Sequence, residues 1–348
     1  MENVEMKLAK WWEPAEKNKL LCTLCPRYCK IGNGQAGFCF IRQNVNGKLY
    51  TVGYGRPTGF AIDPIEKKPL NHFYPGTPVL SFGTAGCNLG CKFCQNWSMS
   101  KARLDDLNAL TASPQDVINL AMQYKVPSIA YTYNDPTIFG EYVIDISKLG
   151  REKGINSVMV TAGYIDKEAR KDVYEYIDAA NVDLKGFTER FYNKLTFSSL
   201  KDVLDTLVWL KNDTDIWFEI TTLLIPGEND SPEEIRAECD WILKNLGDSV
   251  PLHFTAFHPD FRLRDKDKTP ASTLKMARNI ALNSGIKFVY TGNIHDSEGQ
   301  TTYCPSCSHA LIKRDWHDVT KNILLDGSCP KCGTKIPGKF ESANPHIS

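Results

Sequence analysis

Short runs of β-branched and aromatic residues alternate with amphipathic stretches of helical period through the middle of the chain. Two of the amphipathic stretches begin with Ser113-Pro114 and Ser231-Pro232, which are typical helix starts with an N-cap residue and proline in the first turn. Seven of the apolar runs predict strands, namely Val79–Phe82, Ser128–Thr132, Ser157–Thr161, Asn181–Leu184, Ile216–Leu224, Leu252–Phe257 and Lys287–Tyr290. Repeated strand–helix units predict an α/β fold with a parallel sheet and right-handed crossovers.

About six such units predict a partial (β/α)6 barrel, in which functional groups gather at the C-terminal ends of the strands. The loop after the first predicted strand carries Cys87, Cys91 and Cys94 in the spacing C-x3-C-x2-C. Thiolates this close on a glycine-rich loop suit the corners of an iron–sulfur cubane. Three ligands for four irons leave one iron open to bind another molecule. A zinc knuckle completed by a distant residue is the alternative.

Composition narrows the class of protein. The 348 residues include 41 basic and 41 acidic side chains, so the formal net charge is zero, which argues against nucleic acid or an anionic membrane as the default partner. Neither a membrane span nor an apolar signal core in residues 1–19 is evident, so we expect a cytoplasmic protein. In that compartment the 12 cysteines are expected to be metal ligands rather than disulfides.

Two further cysteine clusters flank the predicted barrel. Cys22, Cys25, Cys29 and Cys39 predict one metal site, either zinc or an auxiliary [4Fe–4S] cluster. Cys304, Cys307, Cys329 and Cys332 form two C-x2-C knuckles, which predict zinc or a rubredoxin-like iron. Four thiolates saturate such a metal, so His309 and His317 inside this segment are expected to be bystanders. Cys239 stands alone in a helical pattern and is expected to be a small buried hydrophobe.

These clusters divide the chain into three predicted domains. Residues 1–75 form an N-terminal four-cysteine β module, in which Asn46-Gly47 predicts a hairpin turn. Residues 76–295 form the partial barrel, and residues 296–348 form a zinc-ribbon or rubredoxin-like module.

The central region resembles the radical S-adenosylmethionine (SAM) superfamily over roughly residues 78–293. The resemblance rests on the strand followed by C-x3-C-x2-C, with Phe93 before the last cysteine. Asp183-Leu-Lys185, the turn from Ile225 to Asp230 and Ala256-Phe-His258 resemble the pyruvate formate-lyase activating enzyme branch. The resemblance implies a [4Fe–4S] cluster on Cys87, Cys91 and Cys94, with SAM on the open iron.

By the same resemblance, an electron from a donor such as ferredoxin or flavodoxin cleaves SAM to a 5′-deoxyadenosyl radical, which abstracts hydrogen from substrate. Phe93 would lie near the adenine, and Asp183 and Lys185 would line the SAM site, with Lys185 as partner of a carboxylate. Lys185 and His258 are the catalytic candidates. An exposed ion pair and a merely hydrogen-bonded histidine are the alternatives for these positions. His253 lies on the same predicted strand in the opposite alternation phase to His258, so its side chain is expected to face away from the site.

One segment departs from the superfamily pattern. Gly-Gly-Glu is usual after the second strand, but this chain has Tyr133-Asn134-Asp135-Pro136 there. Oxygens of Asn134 or Asp135 are expected to accept the same hydrogen bonds from SAM, with Tyr133 beside them.

The flanking motifs narrow the resemblance. Thr23-Leu-Cys-Pro-Arg-Tyr-Cys29, Gly34-Gln-Ala-Gly-Phe-Cys39, Tyr131–Pro136 and the terminal Cys-Pro-x-Cys pair resemble AmmeMemoRadiSam-system radical SAM enzymes over nearly the whole chain. This resemblance implies Memo-type and AMMECR-type partner proteins.

Three functional hypotheses follow. The first is a radical SAM enzyme acting on an unidentified substrate, which could be a small molecule, a lipid or a protein. The second is an activase that makes a glycyl radical in another enzyme. The third, from a different class, is a zinc-dependent binding protein whose barrel has lost its chemistry. Zero net charge counts against nucleic acid as its partner.

Overall fold

The computed structural model describes residues 6–341 of the chain. The outermost residues of the two predicted terminal modules, 1–5 and 342–348, lie outside this range. Within it, no helix has the length and apolar character needed to cross a bilayer.

The N-terminal region is built from two small antiparallel sheets with strand orders β1-β6-β5 and β2-β3-β4. The Asn46-Gly47 hairpin joins β5 to β6, and both turn residues have positive φ, as a two-residue hairpin turn of this twist requires. The predicted hairpin is confirmed. The strands are β1 (Lys7–Leu8), β2 (Trp12–Ala15), β3 (Lys19–Cys22), β4 (Lys30–Ile31), β5 (Arg42–Val45) and β6 (Lys48–Thr51).

A single eight-stranded sheet forms the centre of the molecule, and its strands lie in chain order. The first strand pairs antiparallel with the second, and the other seven are parallel, joined by crossovers. Each predicted run overlaps one parallel strand, so the predicted α/β fold class is confirmed. The strands are β7 (Thr58–Pro64), β8 (Pro78–Gly83), β9 (Ser128–Tyr131), β10 (Asn156–Thr161), β11 (Ala179–Asp183), β12 (Trp217–Leu224), β13 (Leu252–Ala256) and β14 (Val289–Gly292).

Helices cover the outer face of this sheet. Ser113 and Ser231 each accept a hydrogen bond from a backbone N–H in the first helical turn, as predicted from their sequence, and Cys239 is fully buried. The helices are α1 (Trp97–Ser100), α2 (Pro114–Gln123), α3 (Gly140–Glu152), α4 (Ala169–Val173), α5 (Glu189–Phe191), α6 (Leu200–Asp213), α7 (Pro232–Asn245), α8 (Ala271–Ser284) and α9 (Ser297–Gln300). Short 3₁₀ turns lie at Ile65–Lys67, Leu104–Asp106 and Pro136–Phe139, and a π turn at Tyr192–Thr196.

The inner face of the sheet surrounds residues 65–77, which connect β7 to β8 and which we call the interior link. Leu70 and Phe73 of this link pack against inward-facing residues of β9, β10 and β11. The imidazole of His72 contacts the Tyr290 hydroxyl of β14 at 2.6 Å. Since this contact joins the link beside β7 to the opposite edge strand, the sheet is curled with both edges facing one interior. The result is a partial barrel whose lower end is filled by the link.

The C-terminal module packs against the β14 edge. It consists of β15 (Thr302–Tyr303), β16 (Ala310–Asp315) and β17 (Asp318–Asn322), all antiparallel. Arg314 of β16 is buried, donates to the Asn71 carbonyl oxygen at 2.8 Å and pairs with Glu66 at 3.4 Å. The module is thereby bonded to the interior link. The predicted domain boundaries stay a prediction, and β7 lies in the central sheet although it precedes the predicted boundary after residue 75.

Candidate active site

The three central cysteines lie on the loop between β8 and α1, where neighbouring segments hold the backbone. Gly86 has φ of 81°, and a side chain there would collide with the carbonyl oxygen of Cys39. The Asn88 amide donates to the Tyr164 carbonyl at 2.8 Å, and Arg27 donates to the Asn88 carbonyl. The N-terminal module therefore packs directly against the cysteine loop and fixes its path.

A pocket of about 140 Å³ opens beside this loop, at the C-terminal ends of four successive strands, β8 to β11. Functional groups are expected at this end of a parallel sheet. The pocket brings together most of the predicted site residues, which are separated by up to about a hundred positions in the chain. Its lining includes Cys87, Cys91, Cys94, Tyr133, Asn134, Asp135, Asp183 and Lys185. We call it the cofactor pocket.

An ion pair faces the cysteines across this pocket. Lys185 Nζ lies 2.9 Å from Asp183 Oδ2. Burial opposes the charge on Lys185, but attraction to Asp183 and Cys91 outweighs it and raises the lysine pKa. Asn229 donates to the Lys185 carbonyl oxygen at 2.9 Å, so the turn after β12 supports this segment. The pair with Asp183 thus favours a charged ammonium beside the thiols.

Asn134 and Asp135 are committed to hydrogen bonds within the protein. The Asn134 amide donates to Thr84 Oγ1 at 3.1 Å and to the Gly86 carbonyl at 2.7 Å, so it clamps the cysteine loop. Asp135 accepts the backbone N–H groups of Thr137 and Ala162 at 3.0 and 2.8 Å. Burial raises the Asp135 pKa. Both side chains hold the walls of the pocket, and their expected hydrogen bonds to SAM stay a prediction.

Phe93 and His258 are not among the residues that line the cofactor pocket. Phe93 is buried and packs against Phe191, with ring centroids 5.8 Å apart. His258 is exposed and follows the end of β13 at Ala256. The prediction for His258 came from the resemblance of Ala256-Phe-His258 to the activating enzyme branch, and a position after a strand does not fix the direction of a side chain once the strand has ended.

His253 points into the barrel, so the expectation that it faces away was wrong. Its imidazole contacts Glu219 of β12 at 2.6 Å, and Glu219 also accepts the N–H groups of Asn71 and His72. The alternation phase had been counted from His258, which lies outside the strand. A glutamate and a histidine inside otherwise apolar strand runs were the available signal for an inward polar cluster.

A second cavity of about 300 Å³ adjoins the cofactor pocket, and Asn96, Thr132 and Tyr133 line both. Residues of the interior link, of β13 and β14 and of the C-terminal module complete it, His317 among them. Tyr133 has φ of 71°, and its hydroxyl lies 3.4 Å from Asp63 Oδ2. Burial and Asp63 raise the Tyr133 pKa to about 12. Motif reasoning did not identify this cavity.

The C-terminal cysteines converge on one point. Their sulfurs lie 3.5 Å apart for Cys304 and Cys332, and 3.7 Å apart for Cys307 and Cys329. A tetrahedral zinc with bonds of about 2.3 Å requires sulfurs about 3.8 Å apart, so the four thiols fit a single metal ion. Hydrogen bonds with Thr334 lower the Cys332 pKa to about 6. Among residues 6–341 this is the only group of three or more His, Cys, Asp or Glu residues whose ligand atoms all lie within 4.8 Å of one another.

The N-terminal cysteines are less accessible. Cys22, Cys25 and Cys39 are buried, and burial raises the Cys39 pKa to about 12. A thiol in this environment keeps its proton at neutral pH unless a metal displaces it. Whether zinc or an iron–sulfur cluster is bound there stays a prediction with both alternatives.

Comparison with known proteins identifies the family. The sequence model described as Radical SAM superfamily matches residues 82–239, which contain the cysteine loop and β8 to β12. Residues 82–239 therefore form a radical SAM domain. Such a domain implies an enzyme with a [4Fe–4S] cluster and SAM as cofactors.

Relatives of this radical SAM protein extend the comparison. It is 43% identical over 334 residues to the uncharacterized protein MJ0808 of Methanocaldococcus jannaschii, covering 95% of this chain and 99% of that protein. It is 24% identical over 212 residues to the pyruvate formate-lyase-activating enzyme of Clostridium pasteurianum, and the match covers 55% of this chain and 84% of that protein. The crystal structure of Streptococcus suis SuiB bound to precursor peptide SuiA shares the fold, with a TM-score of 0.50 and 16% identity. That match covers 66% of this chain and 52% of SuiB.

Proposed function

We propose that this radical SAM protein binds its [4Fe–4S] cluster through Cys87, Cys91 and Cys94 and binds SAM in the cofactor pocket. The observation that carries the proposal is the convergence of three thiols and the Lys185–Asp183 pair on one pocket, at the ends of four successive strands. When bound, the cluster and SAM supply the radical chemistry that abstracts hydrogen from a substrate.

The protein's own residues would bind and orient these cofactors. Lys185 has donors left after pairing with Asp183 and suits the carboxylate of SAM through a charge-assisted hydrogen bond. Asn134 keeps the cysteine loop in place, and Asp135 keeps the loop after β10 in place. Tyr133 forms the wall toward the second cavity. The geometry supports these residues more strongly than Phe93 or His258.

The test is anaerobic reconstitution with iron, sulfide and zinc counted per chain, followed by reduction with dithionite and SAM. We expect a coloured iron–sulfur protein that converts SAM to 5′-deoxyadenosine. Cys91→Ala should stop this conversion, whereas Cys239→Ala, at the buried cysteine of α7, should retain it. A colourless protein that holds only zinc, or cleavage that survives Cys91→Ala, would contradict the proposal.

Glycyl-radical activation is a second candidate, favoured by the relatives. Besides the Clostridium protein, the chain is 28% identical over 205 residues to a putative glycyl-radical enzyme activating enzyme of M. jannaschii, MJ1632. Such a function needs a protein substrate and a reductant, such as a ferredoxin or flavodoxin. A glycyl-radical electron paramagnetic resonance signal in a candidate partner, dependent on SAM and on Cys91, would support it. The absence of that signal alongside SAM cleavage would favour a small-molecule substrate.

We further propose zinc as the metal of the C-terminal quartet, because the sulfur separations match a tetrahedral site and zinc thiolates of this spacing are usually structural. A rubredoxin-like iron needs the same four thiolates, so metal analysis of the C-terminal site decides between the two. The resemblance to AmmeMemoRadiSam enzymes adds Memo-type and AMMECR-type partners to this proposal, and co-purification with such proteins is its test.

A further inference from the structure

We propose that the second cavity binds the substrate, and that the substrate is a small molecule with an oxyanion group, a carboxylate or a phosphate, held by Lys68. This inference rests on the proposed radical SAM function, since it assigns the neighbouring pocket to the cofactors. It concerns residues outside the cysteine motif and the Asp183–Lys185 segment.

Lys68 is a buried cation with hydrogen-bonding capacity to spare. Its side chain is 3% exposed and lines the second cavity. Its ammonium has three donors, but among residues 6–341 it bonds one acceptor, Asp63 Oδ2, at 2.7 Å. A buried ammonium with unmet donors is costly, so the cavity favours a ligand that accepts hydrogen bonds.

Charge around the cavity favours an anion. Lys67 Nζ also binds Asp63, at 2.7 Å, so two ammonium groups share one carboxylate and one positive charge is in excess. Burial lowers the Lys68 pKa, and an anionic ligand would oppose that effect.

The other polar groups at the cavity have partners of their own. Glu66 pairs with Arg314 at 3.4 Å. His253 contacts Glu219 at 2.6 Å, and Glu219 also accepts the N–H groups of Asn71 and His72. His317 also lines the cavity and would add positive charge if protonated. The excess positive charge from Lys67 and Lys68 is therefore not cancelled by another lining residue.

The size of the cavity and the burial of Lys68 favour a small molecule. A volume of about 300 Å³ lies at the lower end of the range for small-molecule sites. Gln300, Arg314 and Trp316 contribute the lining from the C-terminal module. Because the Lys68 side chain is only 3% exposed, its ammonium is not open to a bulky partner such as a protein loop.

The position of the cavity suits hydrogen abstraction. Thr132 and Tyr133 line both spaces, and the Lys68 ammonium lies 5.3 Å from the centre of the Tyr133 ring. A molecule anchored by its oxyanion on Lys68 would therefore extend along Tyr133 toward the cofactor pocket. Lys68 would act as a binding residue in this arrangement.

The experiment uses the reconstituted full-length protein with SAM bound, and inorganic phosphate and acetate as probes. Nuclear magnetic resonance line broadening of ³¹P in phosphate and ¹³C in acetate reports binding of each anion, and comparison of the two identifies the preferred oxyanion. We expect at least one anion to bind without displacing SAM. Lys68→Met should weaken that binding roughly tenfold or more, and Lys68→Arg should largely restore it.

Lys201→Met is the matched control, because Lys201 is exposed and pairs with Asp205 on α6. It should leave anion binding unchanged. Failure of both anions to bind, competition of the anion with SAM, or equal binding by Lys68→Met would each overturn the proposal. Formation of 5′-deoxyadenosine in the same wild-type preparations tests the cofactor assignment separately, so failure of the two proposals can be distinguished.

Discussion

Two lysine–aspartate pairs stand at the walls of the two adjoining spaces, and they differ in electrostatic balance. Lys185 pairs with Asp183 in the cofactor pocket, and its pKa is raised because the aspartate and Cys91 outweigh burial. Lys68 pairs with Asp63 in the second cavity, and its pKa is lowered because burial dominates and Lys67 shares the same carboxylate. The same residue types therefore give one stable charge and one that lacks sufficient counter-charge.

The two spaces also differ in how the chain builds them. The cofactor pocket uses loops that directly follow β8, β9, β10 and β11, whose polar side chains hold one another. The second cavity uses the interior link, two later strands and the C-terminal module, whose Arg314 binds the link. The difference predicts that the two spaces can be disrupted independently.

The largest effect is expected from loss of the metal proposed for the C-terminal quartet, which would loosen β16 and β17 beside the second cavity. Cys307→Ser should remove one metal per chain, because it replaces a thiolate ligand, and structural zinc sites contribute on the order of 10 kcal/mol to folding of their module. Elemental analysis and anion binding measure the outcome. Cys239→Ala should keep the metal. Full metal content in Cys307→Ser would contradict the assignment of this ligand.

Arg314→Met should reduce the free energy of unfolding by about 3–5 kcal/mol, since it leaves the buried Glu66 carboxylate without its counter-charge, although the Gly76 N–H still donates to it. Thermal unfolding of the reconstituted protein measures this effect. Lys171→Met is the control because its pair with Glu168 is exposed, and it should cost less than about 1 kcal/mol. Equal losses in the two variants would show that the buried Arg314–Glu66 pair contributes no more to the free energy of unfolding than an exposed pair does.

Acidification should lower the free energy of unfolding through His72 of the interior link. The Pro337 carbonyl can only accept, so Nδ1 carries the proton and Nε2 accepts from Tyr290. Burial lowers the His72 pKa from 6.5 to about 4. The unfolded chain therefore binds the proton first, and stability falls on the order of 3 kcal/mol as pH drops from about 6.5 to about 4.

The measurement for His72 is the unfolding midpoint at several pH values between 7 and 4. His72→Gln should show a shallower loss of stability on acidification than the wild type, whereas the exposed His258→Gln should follow the wild type. Parallel pH curves for His72→Gln and the wild type would refute the role assigned to this histidine.

The smallest expected effect is confined to the cofactor pocket. Lys185→Met should weaken SAM binding about 10- to 100-fold, the loss of one charge-assisted hydrogen bond of about 1.5–3 kcal/mol. Equilibrium binding of SAM to the reconstituted protein measures it, with Lys201→Met as the exposed control. Unchanged SAM affinity would exclude Lys185 as the partner of the carboxylate.

Prediction from sequence succeeded where one short segment carries the information. The seven parallel strands, the caps at Ser113 and Ser231 and the turn at Asn46-Gly47 depend on local period and turn chemistry. The convergence of Cys87, Tyr133 and Lys185 followed from the rule that the ends of parallel strands share one edge. The predicted direction of His253 was wrong because the alternation was counted from His258, which lies two residues beyond the end of β13 at Ala256.

The sequence by itself determined the fold class, the family and the motifs that meet at the cofactor pocket. Only the tertiary structure decided that Lys68, Tyr133, His253 and Arg314 share one cavity. Local propensity describes how each segment folds, but it does not describe how far a sheet curls or which segment fills its interior. Those outcomes depend on burial of Leu70 and Phe73 inside the barrel and on the ion pairs that this burial requires.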